Sequence, residues 1–529
     1  MSARAQRLIC LGVLAIVSAA LNLSLSAREG TLAMPPIYDD ANYLLDGYLR
    51  VLRGDATSLF NLVASIIADP PHAPLSTLTS MLGYSLLGPH VWSPYLVSTW
   101  IVLVFLASVY YVARSALAPL PSILLAACTL FIPVVQFITT EFRPDFGASA
   151  LFALSLYLLI STDYAGISLR RAIGIALVAA AAITAKPSVF MITLPVTGLA
   201  ALIGILRPGL VPRKEFWSSV RTARLPLVLF VIAFVPCVIL FSPRAVSYAY
   251  RILIVDRHIW ATEGDALYHW TFNSIGRNGG AHALRGFFFV GLVAVVVDAV
   301  LSRKTWREPQ AYRALAYYFV VVVLYCLMSI STEQTFFISS LFFFPFIFAM
   351  VLALARLLRR LADQLPKADV AVAISLVVIT AFASPAARIS QLSRNFPNAG
   401  RILDGITAVI AREAAGKPGC SLPQPVISML TPYPVTPETT MLFAGLNHGM
   451  AIRGYGLAGA RTQEEMVERA LKSDFVLAPN KWGSEMHTNL PGVPFIEATK
   501  ARLAADPTWK IVPIDAPDPP TLYVRKSCS

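Results

Sequence analysis

Long apolar runs separated by short charged segments occupy most of the chain before residue 386. Each run is near the roughly 20 residues that a helix needs to cross a bilayer. The runs lie at about 8–27, 92–113, 119–138, 146–162, 172–185, 188–205, 225–242, 284–301, 314–330, 335–355 and 368–385. The pattern predicts an α-helical polytopic membrane protein with about 11 transmembrane helices, the first kept as a span rather than cleaved as a signal peptide.

Basic residues concentrate in alternate loops between these runs. The loops on the basic side include Arg114, Arg170, Arg171, Arg303, Lys304, Arg307, Arg313, Arg356, Arg359 and Arg360. The positive-inside rule assigns such loops to the cytoplasmic face. It therefore predicts that loops 28–91 and 243–283, and the tail 386–529, lie outside.

Composition supports a membrane protein and excludes other classes. Hydrophobic residues make up 56% of the 529 positions and charged residues 14%, with a mean hydropathy of +0.64. Soluble domains average about a quarter charged residues. The net charge of +13 lies mainly in short loops, which argues against a nucleic-acid partner. The basic inner face and the lack of a eukaryotic retention signal favour a bacterial inner membrane.

Two outer loops have compositions suited to the membrane interface. In the first, 28–91, residues 40–53 place Tyr43, Leu44, Tyr48, Leu49 and Leu52 on one helical face. Together with the apolar segments 59–67 and 75–87, this predicts interfacial helices. A lipid-free soluble loop is the alternative.

The second outer loop, 243–283, mixes Tyr, Trp, His and Arg, which suits either the headgroup zone or a sugar-phosphate pocket. Its candidate cavity-lining residues are Arg251, Arg257 and His258.

The tail, 386–529, is richer in charge and turn residues than the membrane part, 1–385. Segments 426–430, 475–478, 509–514 and 521–525 have the pattern of short strands, and 462–473 that of a helix. We expect a small extracytoplasmic α/β domain there. Cys420 and Cys528 flank it in an oxidising compartment, so they are a candidate disulfide, with two free thiols as the alternative.

Adjacent acids, Asp39 and Asp40, follow the first apolar run in the segment PPIYDDANYL. A carboxylate can act as general base towards an attacking hydroxyl or amine. Either acid could instead cap the helix predicted at 41–53, and both roles can hold together. Paired acids can also bind a divalent metal, so a metal is possible but no cofactor is certain.

A second acidic cluster, Glu141–Arg143–Asp145, follows the third run in TTEFRPDFGAS, on the same predicted side. Pro144 and Asp145 also suit the start of the next helix. Charged residues at membrane depth are costly and tend to mark function. One carboxylate could therefore face Asp39 across a cavity.

Three further outer-side residues are candidates for the same site. Lys186, in ITAKPSV, is the basic residue of its turn and could bind phosphate or simply snorkel. His72, in DPPHAPL, could donate to a lipid phosphate. Glu333, in STEQTFF, could line the same cavity or be structural. No Walker loop, lipase-type serine motif, zinc-protease motif or dinucleotide fingerprint occurs, which argues against an ATP-driven pump.

The order of these features resembles the GT-C glycosyltransferases of the protein O-mannosyltransferase and aminoarabinose-transferase type. That group has four features in a fixed order, and each has a counterpart here. The acidic pair after the first span corresponds to Asp39-Asp40, and the basic residue with a Pro-Leu stretch to His72-Ala73-Pro74-Leu75. The acidic turn after the third span corresponds to Glu141 to Asp145, and the later Thr-Lys-Gly/Pro-like turn to Thr184-Ala185-Lys186-Pro187. The resemblance covers roughly residues 1–355.

The resemblance implies a polyprenyl-phosphate sugar donor, an extracytoplasmic acceptor and inverting transfer outside the membrane. It implies Asp39 as the base, since Asp39 matches the leading acid, and donor-phosphate contacts from His72 and Lys186, with Arg143 a further candidate. His72 departs from members that have Lys there. The competing hypothesis is a transporter or flippase, or a ligase, for lipid-linked saccharides; a transporter predicts internal repeats, and none is visible.

Overall fold

The chain forms two compact units. The first comprises Met1–Leu23, Arg53–Gly88 and Ser93–Arg388, and the second comprises Ser24–Leu52, Pro89–Trp92 and Ile389–Ser529. The computed structural model describes residues 3–29, 31–33, 36, 38–164, 167–186, 189–206, 234, 246–247, 250, 255, 267, 270, 281–330, 336–383, 398–415, 425–430, 444–445, 450, 452–478, 490–517 and 519–526.

Helices dominate the described residues up to 383. In order they are α1 (Ala3–Glu29), α2 (Tyr38–Leu52), α3 (Leu59–Ala68), α4 (Pro74–Leu87), α5 (Trp92–Val97), α6 (Thr99–Ala113), α7 (Pro119–Thr129), α8 (Pro133–Thr139), α9 (Pro144–Ser161), α10 (Leu169–Thr184), α11 (Phe190–Leu206), α12 (Ala281–Ser302), α13 (Pro309–Ile330), α14 (Phe336–Gln364) and α15 (Ala368–Ala383).

Among the described residues, 6 helical segments are long and apolar enough to cross a membrane. They are Ala5–Arg28, Trp92–Ala113, Pro144–Ser161, Gly286–Thr305, Pro309–Ile330 and Ile338–Gln364. Helices α10 and α11, of 16 and 17 residues, are shorter than these. The predicted span 225–242 lies almost wholly outside the described residues. The multi-pass character is therefore confirmed, whereas the number of about eleven spans stays a prediction.

The third predicted span is a broken helix rather than a straight one. Helices α7 and α8 pass the length and hydropathy test only together, and they bend by 67° at the break. Pro133 begins α8, and Ile132 before it is extended, with φ −70° and ψ 126°. Proline disfavours the helical conformation in the residue that precedes it, which explains the break. The bend sets the direction in which the chain enters the acidic turn after α8.

Helices α9 and α14 form the centre of the first unit. Helix α9 packs against α10, α11 and α14, and α14 also packs against α12 and α13. Small and hydroxyl residues let them approach: the hydroxyl oxygens of Ser149 and Ser340 are 2.7 Å apart, and the Tyr317 hydroxyl donates to the Ala153 carbonyl at 3.3 Å. Small residues at contacts are typical of helices packed in a membrane.

A buried carboxylate ties α12 to α13 and α14. Asp298 is fully buried, and its Oδ2 accepts hydrogen bonds from the Tyr318 hydroxyl and from Nε of Arg356, each at 2.9 Å. Arg360 lies 3.4 Å from its other oxygen. Asp298 lies deep in the apolar run 284–301, whose other charged residue is Arg285 at its start, and a charge within a span was the signal available in the sequence. Our sequence interpretation overlooked it.

Helices α3 and α4 of the first loop expose apolar side chains. None of the 10 residues of α3 is buried, and Leu59 and Phe60 are 78% and 80% exposed. Helix α4 buries hydroxyl residues, among them Ser76 and Thr79, while Leu86 is 67% exposed. Helices with polar faces inside and apolar faces outside are suited to lipid contact.

Helix α2, which belongs to the second unit, has a mixed polar and apolar buried face. Asp40, Tyr43, Leu44 and Arg50 are all buried on it. Arg50 is fully buried and donates from Nε to Asp46 at 3.0 Å. Leu49 and Leu52, of the apolar face predicted from the sequence, are 37% and 59% exposed. The placement of this helix in the membrane interface stays a prediction.

The tail contains a five-stranded mixed sheet. Its strands are β1 (Val426–Met429), β2 (Arg453–Gly456), β3 (Phe475–Ala478), β4 (Trp509–Val512) and β5 (Thr521–Arg525), in the order β2-β1-β3-β5-β4. Strand β1 pairs in parallel with β2 and β3, whereas β5 pairs antiparallel with β3 and β4. The helices are α16 (Ala399–Ala415), α17 (Gln463–Leu471) and α18 (Ile496–Ala505).

Alternating side chains give this sheet two apolar faces. Phe475 and Leu477 of β3 pack in one cluster with residues of α16, such as Ile406. Val476 between them packs in a second cluster with Met466 of α17 and residues of α18. This period of two, with helices on both sides, makes a three-layer α/β arrangement.

Candidate functional site

The acidic turn lies where α8 ends and α9 begins. Arg143 is the N-cap residue of α9, with φ −124° and ψ 153°, and Pro144 and Asp145 are the first two helical residues. Proline suits the first helical position because its missing N–H is not needed there. A carboxylate in the first turn is stabilised by the positive end of the helix dipole. The helix therefore starts at Pro144 and Asp145 as expected, although the N-cap residue is Arg143 and no side chain makes a cap hydrogen bond.

Lys186 binds Asp145. Its Nζ donates to Oδ1 of Asp145 across 41 residues of sequence, which joins the end of α10 to the start of α9. The two side chains are 15% and 4% exposed. Breaking a buried ion pair leaves an uncompensated charge, which costs about 3–5 kcal/mol. Sequence analysis placed both residues on one side but did not predict that they pair.

A second ion pair lies beside the first. Nε of Arg143 is 2.6 Å from Oε2 of Glu141, and their side chains are 16% and 6% exposed. We call Glu141, Arg143, Asp145 and Lys186 the acidic-turn cluster. Its two acids and two bases cancel in formal charge. A guanidinium carries five N–H groups and an ammonium carries three.

A small polar cavity opens beside Glu141 and Arg143. Its volume is about 20 Å³, and it is lined also by hydroxyl residues of α4 and α8, such as Ser76, Thr79 and Thr139. This is the space that one water molecule occupies. The cavity brings the first outer loop and the acidic turn together within the first unit. A phosphate or sugar would need the cavity to widen.

The acidic pair lies in the first turn of α2. This helix begins at Tyr38, so Asp39 and Asp40 lie inside it rather than capping a helix that starts at 41. Asp40 is 2% exposed. Because the side chain of Asp39 lies outside the described part of the chain, the expected proximity of Asp39 to a second carboxylate stays a prediction.

The remaining candidates divide between described and undescribed residues. His72 is exposed in the short segment between α3 and α4. Glu333, Arg251, Arg257, His258, Cys420 and Cys528 lie outside the described residues. Within the described ranges, no group of three or more His, Cys, Asp or Glu could hold a metal ion. Chemically, the described cluster can supply cationic hydrogen-bond donors to a phosphate and a carboxylate beside them.

No protein-family model and no curated protein matches the sequence. Solved structures do match its fold. ArnT from Cupriavidus metallidurans in the apo state superposes with a TM-score of 0.59 at 13% identity, over 99% of this chain and 98% of that one. The same protein bound to undecaprenyl phosphate gives 0.58 at 12% identity, over 98% of both chains.

An archaeal oligosaccharyltransferase has the same architecture at lower similarity. AglB from Archaeoglobus fulgidus, in complex with an inhibitory peptide and a dolichol-phosphate, gives a TM-score of 0.52 at 10% identity. The match covers 90% of this chain and 69% of that one. The two proteins are glycosyltransferases of the GT-C fold. The motif order in the first 355 residues predicted this fold, and the chain has the GT-C fold over nearly its whole length.

Proposed function

We propose that the chain is an integral-membrane glycosyltransferase that moves a sugar from a polyprenyl-phosphate donor to an acceptor outside the cytoplasm. The observation that carries the proposal is the likeness in fold to ArnT over 98% of both chains, in a structure where ArnT binds undecaprenyl phosphate. The acceptor could be a lipid, a glycan or a protein. The membrane would be a bacterial inner membrane, with the site on its outer side.

The acidic-turn cluster supports a role in binding the donor phosphate. Arg143 and Lys186 lie at one end of α9 and α10, each held by a carboxylate. Holding a cation in place before the ligand arrives lowers the ordering cost of binding. Guanidinium and ammonium groups both suit the oxygens of a phosphate as charge-assisted hydrogen-bond donors. His72, exposed in the neighbouring loop, would add a further donor when protonated.

Asp39 is our choice for the base. Its carboxylate would take the proton of the acceptor hydroxyl or amine as that group attacks the anomeric carbon. The bond from that carbon to the phosphate oxygen breaks on the opposite face, so the configuration inverts. The electron pair leaves with the polyprenyl phosphate. Asp40, buried on α2, would hold the first turn in place beside the reacting groups.

The first-loop helices support access to a lipid donor. Phe60 and Leu59 of α3 and Leu86 of α4 are strongly exposed apolar residues. In the membrane interface they would contact acyl chains and bring the loop to the level of the donor phosphate. Pro74, which begins α4, lies two residues after His72. The same loop would then provide both the lipid contact and the phosphate contact.

The test uses the purified full-length chain with a panel of polyprenyl-phosphate sugars and candidate acceptors. We expect release of free polyprenyl phosphate with at least one donor, and a product whose anomeric proton coupling in NMR shows inversion. Tight binding of a donor with no release, together with its movement between leaflets of a vesicle, would instead identify a flippase. Retention of configuration would contradict the single-displacement mechanism with an Asp base.

A further inference from the structure

A second, larger cavity lies at the other end of α9. Its volume is about 370 Å³, and its charged lining consists of Arg114, Arg171, Arg313, Arg356 and Asp163. We call it the basic cavity. Small-molecule sites typically occupy 300–1,000 Å³, so the basic cavity is large enough for a phosphate-bearing group. The excess of arginine over carboxylate favours an anion.

The position of the basic cavity separates it from the proposed donor site. Ser161, which lines it, is the last residue of α9, whereas Asp145 of the acidic-turn cluster is the second. At about 1.5 Å rise per residue, these ends are roughly 24 Å apart along the helix. That distance approaches the thickness of the hydrocarbon core. The two sites therefore lie near opposite leaflets.

The partial charges of the helix ends do not by themselves make the basic cavity an anion site, because two helices begin there and two helices end there. Arg171 and Gln310 lie in the first turns of α10 and α13, while Arg114 and Ser161 lie at the ends of α6 and α9. The partial charges of helix starts and helix ends oppose each other. The arginine side chains therefore decide the sign of the electrostatic potential.

Arg356 contributes less than the other arginines to the positive potential of the basic cavity. Its Nε donates to the buried Asp298 at 2.9 Å and its Nη2 to Ser302 at 2.7 Å. Its charge is largely compensated and its orientation is fixed. Arg313 differs, since its Nε is buried and has no hydrogen-bond partner among the described residues. A buried donor left unpaired costs about 1–3 kcal/mol, which a ligand would recover.

A second unpaired polar atom lines the same cavity. Ser161 is only 8% exposed, and its Oγ has no hydrogen-bond partner among the described residues. Ser161 and Arg313 come from different helices, α9 and α13, yet both line the basic cavity. A hydroxyl and a guanidinium with spare donors match the acceptor oxygens of a phosphate. Tyr111, 47% exposed, adds an aromatic ring at the surface of the bundle.

We propose that the basic cavity binds a phosphate group, in the form of an anionic phospholipid headgroup or of a soluble phosphate. Arg171 and Arg313 would be the principal cationic donors, and Ser161 a neutral one. This site is distinct from the proposed donor site and does not depend on catalysis.

The test measures binding of dihexanoyl phosphatidylglycerol and of inorganic phosphate to the purified full-length chain. Arg313→Gln should weaken the affinity roughly 10- to 100-fold, the loss expected for one charge-assisted hydrogen bond. Arg303→Gln is the matched control, because exposed Arg303 follows α12 at the basic-loop end without lining the cavity. Arg171→Gln repeats the test at an exposed position, should Arg313→Gln fail to fold.

The two sources of phosphate give different results. Phosphatidylglycerol binding that inorganic phosphate does not displace supports a lipid headgroup, whereas binding of inorganic phosphate alone supports a soluble ligand. Either result supports the proposal when binding is lost in Arg313→Gln, or in Arg171→Gln where Arg313→Gln does not fold, and is kept in Arg303→Gln. Failure of both probes to bind the wild type, or an equal loss in Arg303→Gln, would overturn it.

Discussion

Lys186, just after α10, donates a hydrogen bond to the carboxylate of Asp145 in the first turn of α9. The pair joins two helix ends at the point where the acidic turn enters the bundle. The pair also adds Lys186 to the acidic-turn cluster, although Lys186 lies 41 residues after Asp145 in the sequence. In the proposed function, this pair holds the ammonium group that would donate to the donor phosphate.

The first prediction concerns the stability of this pair. Asp145→Asn or Lys186→Gln alone should lower the free energy of unfolding by about 3–5 kcal/mol, because each leaves a buried charge without its partner. The double variant should lose less than the sum of the two. Denaturant unfolding in detergent measures this. Lys472→Gln, in the pair with Glu468 whose side chains are 71% and 69% exposed, is the control and should leave the transition unchanged.

The second prediction concerns the buried Asp298. Asp298→Asn should destabilise the chain by about 3–5 kcal/mol, because Arg356 and Arg360 would lose their carboxylate. Tyr318→Phe removes one hydrogen bond to the same carboxylate and should cost less, about 1.5–3 kcal/mol. Equal losses in the two variants would contradict the assignment of Asp298 as a charged centre of the network.

The third prediction compares two glycines of α11. A Cβ at Gly204 would overlap the carbonyl oxygen of Leu159 in α9, which backbone atoms cannot easily avoid, whereas nothing lies within 4 Å of one at Gly198. Gly204→Ala should therefore destabilise the chain by about 1–3 kcal/mol. Gly198→Ala should stabilise it by about 0.5–1 kcal/mol through helix propensity. Thermal unfolding of both variants measures the difference, and similar shifts would contradict close contact between α9 and α11.

The fourth prediction places α3 in lipid. Phe60→Trp should add fluorescence that brominated lipids quench, because this position is 80% exposed on an apolar helix. Tyr455→Trp in β2, at 51% exposure in the α/β part, is the control and should be quenched little. The signal of each variant is compared with wild type in vesicles of the same lipid. Equal quenching at both positions would contradict an interfacial α3.

The fold was predicted from the order of four motifs along the sequence. The acidic pair, the His72 segment, the acidic turn and the Lys186 turn follow one another as in GT-C enzymes, and the fold agrees. The strands at 426, 475, 509 and 521 were predicted as short runs punctuated by Gly and Pro. Such runs can be recognised from local composition without knowledge of contacts.

Other features depend on contacts that a sequence pattern does not encode. Lys186 can pair with Asp145 because α10 lies against α9. The separation of the two residues in the sequence does not show whether these helices are in contact. The bend of 67° after Thr129 was indicated by Pro133, but hydropathy averaged over the run concealed it. On α2, the burial of Asp40 and Arg50 could not be predicted from the apolar pattern, because it depends on packing.

The first measurement to make is the release of free polyprenyl phosphate by wild type and by Asp39→Asn, each with the same donor and acceptor. Asp69→Asn, at an exposed acid after α3 in the same outer loop, is the control. We expect release by wild type and by Asp69→Asn, and a loss of about 100-fold or more in Asp39→Asn, because a general base has been removed. Unchanged release in Asp39→Asn would contradict the assignment of Asp39 as the base.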